Sequence, residues 1–270
     1  MNAPSLAHEG AALLGGEIAR VEEFSGGDLS KVVRIYLSDD RVAIVKSGPS
    51  PRTEGAMLAA IAASGAPAPA VLAVSNTALV LAALPSDGVI AAAWGSLGVA
   101  LARLHTVRGP RYGWHADYAF GAVPIENGWA DDWPAFWAAR RLVVHAPHLP
   151  AKLARRVAAL AEALPDILPS RPPAALLHGD LWGGNALVTG GQVSGLIDPA
   201  CYFGHAEVDI AMLGLFDGPS PAFFASYGAL APGASTRLAI YRLWPALVHL
   251  RLFGDGYRPM VERFLGEIGF

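Results

Sequence analysis

Between residues 176 and 200 the chain carries His178, Asp180, Asn185 and Asp198. An Asp and an Asn share one loop, five positions apart, and a second Asp follows thirteen positions later, beyond a short hairpin. A phosphoryl-transfer site needs one carboxylate to orient a hydroxyl, and an amide and a carboxylate to hold Mg²⁺ on ATP. Asp180 is the expected general base. A carboxylate within reach of the acceptor hydroxyl aims its lone pair at the γ-phosphorus and takes the proton late. Asn185 and Asp198 are the expected metal ligands, oxygen donors that leave phosphate oxygens to complete the shell. His178 reads as a packing and hydrogen-bonding residue of the loop. An isolated His-Gly-Asp is more often a solvated turn; the joint spacing of three side chains favours chemistry.

Upstream residues complete such a site. Lys46 ends a strand-like run and Glu54 opens the following helix, the placement of a Lys on the α/β-phosphates and the Glu that orients it. Each is common alone, since Glu is favoured in a first helical turn. Gly26 and Gly27, within Ser25-Gly26-Gly27-Asp28, could cover a triphosphate with backbone N–H groups, or form an ordinary hairpin turn. Ala82 and Leu84 fall where adenine would meet hinge backbone, an assignment by position only. Trp182, two residues past Asp180, could wall the acceptor substrate. Trp129 and Trp133 read as helix anchors, and Asp209 as a brace for the loop amides. Cys201 neighbours Asp198, with nothing nearby to activate a thiolate.

The elements that must position these groups divide near residue 84. Residues 8–20 read as an amphipathic helix. A three-strand meander follows, through 21–24, 32–37 and 42–46, with a Gly-rich first turn and a polar second turn. Ser50-Pro51 starts a helix that places Glu54, Leu58 and Ile61 on one face. Residues 71–74 and 79–84 form a further hairpin. Beyond Pro85 the periodicity is helical, at 94–105, 133–145, 151–164, 207–215, 221–230, 235–253 and 257–268. Only the strands around Gly190-Gly191 interrupt it. The expected architecture is α+β and two-lobed. Residues 1–84 form a small antiparallel lobe with one helix on the sheet, for ATP, and 85–270 a larger, mainly helical lobe for catalysis and acceptor.

Composition narrows the partners. Of 270 residues 16% are charged, the net charge is −3, and the 20 basic residues are 17 Arg and 3 Lys. That balance disfavours nucleic acid, which selects a basic face. The stretch 55–86 lacks formal charge, yet Pro67, Pro69 and Pro85 cut it into pieces too short to span a membrane. One cysteine allows no intramolecular disulfide, and the N-terminus has no signal-peptide pattern, so a cytoplasmic location is expected.

The Asp180–Asn185–Asp198 intervals match the protein-kinase pattern. The wider set resembles the fructosamine kinase family (ketosamine-3-kinases), within the aminoglycoside- and choline-kinase-like branch of that fold. The most specific part is Leu177-His178-Gly179-Asp180-Leu181-Trp182-Gly183-Gly184-Asn185 with Ile197-Asp198-Pro199-Ala200, the Trp setting it apart from aminoglycoside and choline kinases. Ser25-Gly26-Gly27, Lys46, Glu54, Leu101-Ala102-Arg103-Leu104-His105, Tyr112-Gly113-Trp114, Asn127-Gly128-Trp129, Glu207-Val208-Asp209 and Phe253-Gly254 extend the likeness over nearly the whole chain. The resemblance implies a two-lobed protein-kinase-like fold. It also implies Mg-ATP-dependent phosphorylation of the C3 hydroxyl of a ketosamine; a free or protein-bound substrate and a monomer or weak homodimer are expected. The phosphorylated adduct then eliminates and frees its amine; ribulosamine and erythrulosamine are favoured over fructosamine. Asp28, Ala82, Ala83, Val248 and Arg251 depart from residues frequent in relatives. Two other readings compete: a kinase of an aminoglycoside, choline or homoserine, and a nucleotide-binding pseudokinase acting as an interaction module. The first would want an acidic acceptor pocket, and the second would be expected to have lost Lys46, Asp180 or Asp198. A protein kinase is disfavoured, because only ten residues separate Asp198 from Asp209.

Overall fold

A computed structural model of the chain describes residues 2–24 and 30–270; Gly26 and Gly27 lie outside them. The first helix, α1 (Ala3–Leu14), starts and stops earlier than periodicity indicates. The Asn2 side chain accepts from the Ser5 N–H at 2.9 Å, and Gly15 ends the helix in a left-handed conformation (φ 63°). Residues up to Arg20, expected in the helix, belong to β1 (Ile18–Glu23), whose pairing with β2 (Val32–Leu37) overrides their weak helical pattern. The meander closes with β3 (Val42–Lys46), through a turn in which Asp40 takes φ 67°, a left-handed value that Asp tolerates.

After α2 (Pro51–Ala63), the hairpin of β4 (Val71–Val74) and β5 (Leu79–Ala82) joins the sheet beside β3, giving the antiparallel order β1-β2-β3-β5-β4. Strand alternation builds two apolar layers. Val33, Ile35, Leu37, Val45 and Val80 pack under Leu6, Ala7 and Ala11 of α1, whereas Leu79 and Leu81 pack with Leu58 of α2. Gly10 sets the height of α1 over the sheet, because a Cβ there would lie 2.3 Å from Val45 Cγ2. Helix propensity favours Gly10→Ala by up to about 1 kcal/mol, but the stiff, buried Val45 makes overpacking the larger effect. The expected outcome is a net loss of about 1–2 kcal/mol, read by urea denaturation.

The larger lobe comprises α3 (Trp94–Leu104), the hairpin β6 (Tyr118–Phe120) and β7 (Val123–Ile125), α4 (Trp133–Trp137), α5 (Ala151–Ile167) and β8 (Ala175–Leu176). It continues with β9 (Ala186–Thr189), β10 (Gln192–Leu196), β11 (Phe203–Gly204), α6 (Glu207–Phe216), α7 (Pro221–Tyr227), α8 (Ala234–Phe253) and α9 (Arg258–Ile268). Gly190 and Gly191, both at positive φ, form the tight β9–β10 turn.

The single helix expected over 133–145 is instead broken. After α4 the backbone widens into a π turn at Ala138–Leu142, then a 3₁₀ stretch at Val143–His148. The π turn delivers Arg141 into the interior, where it donates to Glu126 O at 2.6 Å and Asn127 Oδ1 at 2.7 Å and stacks over Tyr202. Trp133 is fully buried, as a helix anchor should be, but Trp129 remains 37% exposed and stacks on Phe203. Met57 and Ile61 of α2 belong to the larger lobe's core, and Met57 Sδ accepts from the Cys201 N–H. The two lobes therefore share packing through α2. Among the described residues, no helix is long and apolar enough to cross a membrane.

Candidate active site

The loop after β8 is shaped by backbone contact. Gly179 holds φ 82°, and a Cβ on it would lie 2.0 Å from the carbonyl oxygen of Ala200. Only glycine lets the two segments come this close. The Ala200 N–H donates to His178 O at 2.8 Å and the Ile197 N–H to Asn185 O at 3.0 Å, so the segments bearing Asp180 and Asp198 are tied at both ends. Buried Asp209, on α6, accepts from the His178 N–H at 2.7 Å and the Gly179 N–H at 2.9 Å, the bracing expected of it. His105 lies 3.0 Å from the same carboxylate.

His178 is fully buried, and burial above all lowers its pKa, so the ring is neutral. Its Nδ1 accepts from the Asp180 N–H at 3.3 Å, which leaves Nε2–H to donate to Ile197 O at 3.0 Å. The ring is structural, as its place in the sequence suggests. Cys201 is likewise buried, and burial raises its thiol pKa well above the ordinary value.

Asp180, Asn185, Asp198, Lys46 and Trp182 line one cavity of about 520 Å³ between the lobes. Asn185 donates through Nδ2 to Asp180 O at 2.7 Å and Asp180 Oδ2 at 3.2 Å, which turns its amide oxygen into an available ligand. Burial, followed by the charge of Asp198, pushes the Asp180 pKa up to about 7, against the opposing effects of Asn185 and Lys46. Asp198 occupies a left-handed conformation (φ 55°), which Asp adopts more readily than other non-glycine residues.

Lys46 Nζ donates to Asp198 Oδ1 at 2.6 Å and Glu54 Oε1 at 2.8 Å. Burial disfavours the ammonium, yet Glu54 and Asp198 outweigh it and hold its pKa above the ordinary value. Burial raises the pKa of Glu54 despite the pull of Lys46. Glu54 stands behind Lys46, outside the cavity lining. Ala82 and Leu84 do not line the cavity either: Ala82 ends β5 beside Ala43, and Leu84 lies against Gly195 of β10.

Sequence reasoning missed several contributors. Asp217, after α6, accepts from the Gly183 N–H at 2.7 Å and supports the loop under Trp182. Phe216 meets Trp182 edge-on, and His249, Phe253 and Tyr257 from the α8 end continue an aromatic wall. Tyr118, Ala119, Phe120 and Gly121 bring the β6–β7 hairpin to the cavity. The aromatic composition at 249–257 was the available signal; the hairpin strands were too short to show alternation.

The fructosamine kinase family model matches residues 8–268. The chain belongs to the fructosamine kinase family. It is accordingly a phosphotransferase with an alcohol group as acceptor, and its α+β two-lobed fold is that of the kinase-like phosphotransferases. Probable ketoamine kinase slr1563 of Synechocystis is 38% identical over 187 residues, 64% of this fructosamine kinase family chain and 61% of that protein. The crystal structure of a candidate fructosamine-3-kinase from Thermobifida fusca superposes with a TM-score of 0.90 at 28% identity, covering 99% of both chains. Aminoglycoside phosphotransferase APH(4)-Ia, solved as a thermostable mutant with ADP and hygromycin B, shares the fold with a TM-score of 0.69 at 16% identity, over 98% of this chain and 96% of that one.

Proposed function

We propose that this chain transfers the γ-phosphoryl group of ATP to the C3 hydroxyl of a ketosamine, free or protein-bound. The observation that carries this reading is the convergence of Lys46, Asp180, Asn185 and Asp198 on the cavity whose rim Trp182 forms. Lys46, aimed by Glu54, neutralises the α/β-phosphates. Asp180 orients the acceptor hydroxyl. The hydroxyl oxygen bonds to the γ-phosphorus as the bond to the β–γ bridging oxygen breaks; ADP leaves and the proton passes to Asp180. The residues around residue 84 are assigned as the hinge between an ATP-binding lobe and a catalytic lobe, and adenine to the hinge backbone at Ala82 and Leu84, beyond the side chains that line the cavity. Gly26 and Gly27 are assigned to the triphosphate.

The metal donors fit Mg²⁺. Among the described residues no three His, Cys, Asp or Glu side chains gather into a closed metal cage. An Asn oxygen beside one Asp suits an ion that takes one or two protein ligands and completes its shell with phosphate and water. Mg²⁺, held by Asn185 and Asp198, would supply charge neutralisation on the β- and γ-phosphates.

The acceptor end favours a sugar with a modest amine. Asp180 and Asp198 are the carboxylates lining the cavity, and its far wall is Trp182, Phe216, His249, Phe253 and Tyr257. A polycationic aminoglycoside would find no further acid there among the described residues. A phosphate placed beside the ketosamine carbonyl is a good leaving group: enolisation toward C1 expels it, and water then hydrolyses the resulting imine to release the amine. Purified protein with Mg-ATP is expected to phosphorylate ribulosyl-lysine and erythrulosyl-lysine faster than fructosyl-lysine, with phosphorus NMR locating the product at C3. Turnover confined to choline, homoserine or kanamycin would overturn the assignment.

A further inference from the structure

Glu54 is buried with its side chain 1% exposed, so both carboxylate oxygens need donors from the protein. Oε1 receives Lys46 Nζ at 2.8 Å. Oε2 receives the hydroxyl of Tyr118 at 3.1 Å. Tyr118 belongs to β6 in the opposite lobe, 64 residues along the chain. Its hairpin is rooted in the larger core by Val123 and Ile125, each 2% exposed, and pinned at its base by the Asn127 N–H on Asp117 Oδ1 at 2.7 Å. The far end, Phe120 and Gly121, lines the cavity.

We propose that Tyr118 is a positioning residue for nucleotide binding: from the catalytic lobe it holds Glu54, and through Glu54 it aims Lys46 at the phosphates of ATP. Without that hydroxyl, Oε2 keeps its charge in a dry environment with one donor fewer. Glu54 then gains by turning away from Lys46, whose remaining partner is Asp198. The Lys–Glu pair of the small lobe is thus completed only when the hairpin of the large lobe stands against it. The inference rests on Lys46 binding phosphate, not on which sugar is the acceptor.

The test is calorimetric titration of the full chain with Mg-AMP-PNP, with unfolding followed in parallel. Tyr118→Phe is expected to weaken nucleotide binding about ten-fold, the scale of a lost hydrogen bond to a charged group. Its melting temperature without nucleotide should fall only as far as the loss of one buried hydrogen bond requires, while the rise produced by Mg-AMP-PNP shrinks as well. Glu54→Gln should weaken binding by itself, and adding Tyr118→Phe to it should cost nothing further, because the two residues act in series. Unchanged affinity in Tyr118→Phe, or full additivity in the double variant, would overturn the proposal. Should Glu54→Gln fail to fold, the contrast in Tyr118→Phe between bare stability and nucleotide-induced stabilisation still decides. A wild-type protein that binds Mg-AMP-PNP but phosphorylates no ketosamine would sink the acceptor reading and leave this one standing.

Discussion

Asp180→Asn is expected to lower kcat at least about 100-fold, the lower range for loss of a positioned base. The substitution keeps the shape of the side chain, and its amide oxygen still accepts from Asn185 Nδ2, so the loop should hold its form. What disappears is the basic carboxylate proposed to orient the acceptor hydroxyl and take its proton. The affinity for Mg-ATP should change little, because Lys46 and Asp198 remain paired as before. Steady-state kinetics with ribulosyl-lysine, alongside calorimetry with Mg-AMP-PNP, separate the two quantities. Wild-type turnover in this variant would remove Asp180 from the chemistry.

The second large effect concerns Asp198→Ala, for which Mg-ATP binding is expected to vanish from calorimetry. Two losses coincide in that variant: the proposed oxygen ligand and one of the two carboxylates that hold Lys46. Backbone strain is a third change, because alanine tolerates φ 55° less well than aspartate. Asp198→Asn separates these contributions, since asparagine accepts the left-handed conformation while lacking the charge. Both variants should bind ATP about as weakly as wild type does when EDTA removes the metal. Retained Mg-ATP affinity in Asp198→Asn would mean that the cation is held elsewhere.

The parts of this site legible in the sequence are those set by short-range order. Asp180 and Asn185 sit on one loop, Asp198 follows one hairpin, and Lys46 and Glu54 are eight residues apart, so strand, turn and helix signals are enough to bring each group together. The meander and the β4–β5 hairpin were readable for the same reason, as alternation bounded by turn residues. The long-range partners were not readable. Tyr118 reaches Glu54 across 64 positions, and Asp217 reaches Gly183 across 34, with no local pattern announcing either contact. The π turn at Ala138–Leu142 was hidden differently: its composition suits an ordinary helix, and the demand for it comes from where Arg141 must go. At the N-terminus, alanine-rich periodicity blurred the step from helix to strand, which the Gly15 cap and β2 pairing decide.

At Gly179 the main chain of one segment rests on the main chain of another, at Ala200, with no side chain between them that exchange could trim or enlarge. Asp180 and Asp198, the groups proposed to act on the substrate, are therefore mounted on a seam that residue substitution cannot tune by degrees; any added atom dislodges it outright. The aromatic rim is a different matter, since Trp182, Phe216 and Phe253 each keep 40–45% of their surface in solvent. Retargeting this fold to a new alcohol is a task for that rim, where shape can change while the machinery beneath stays put.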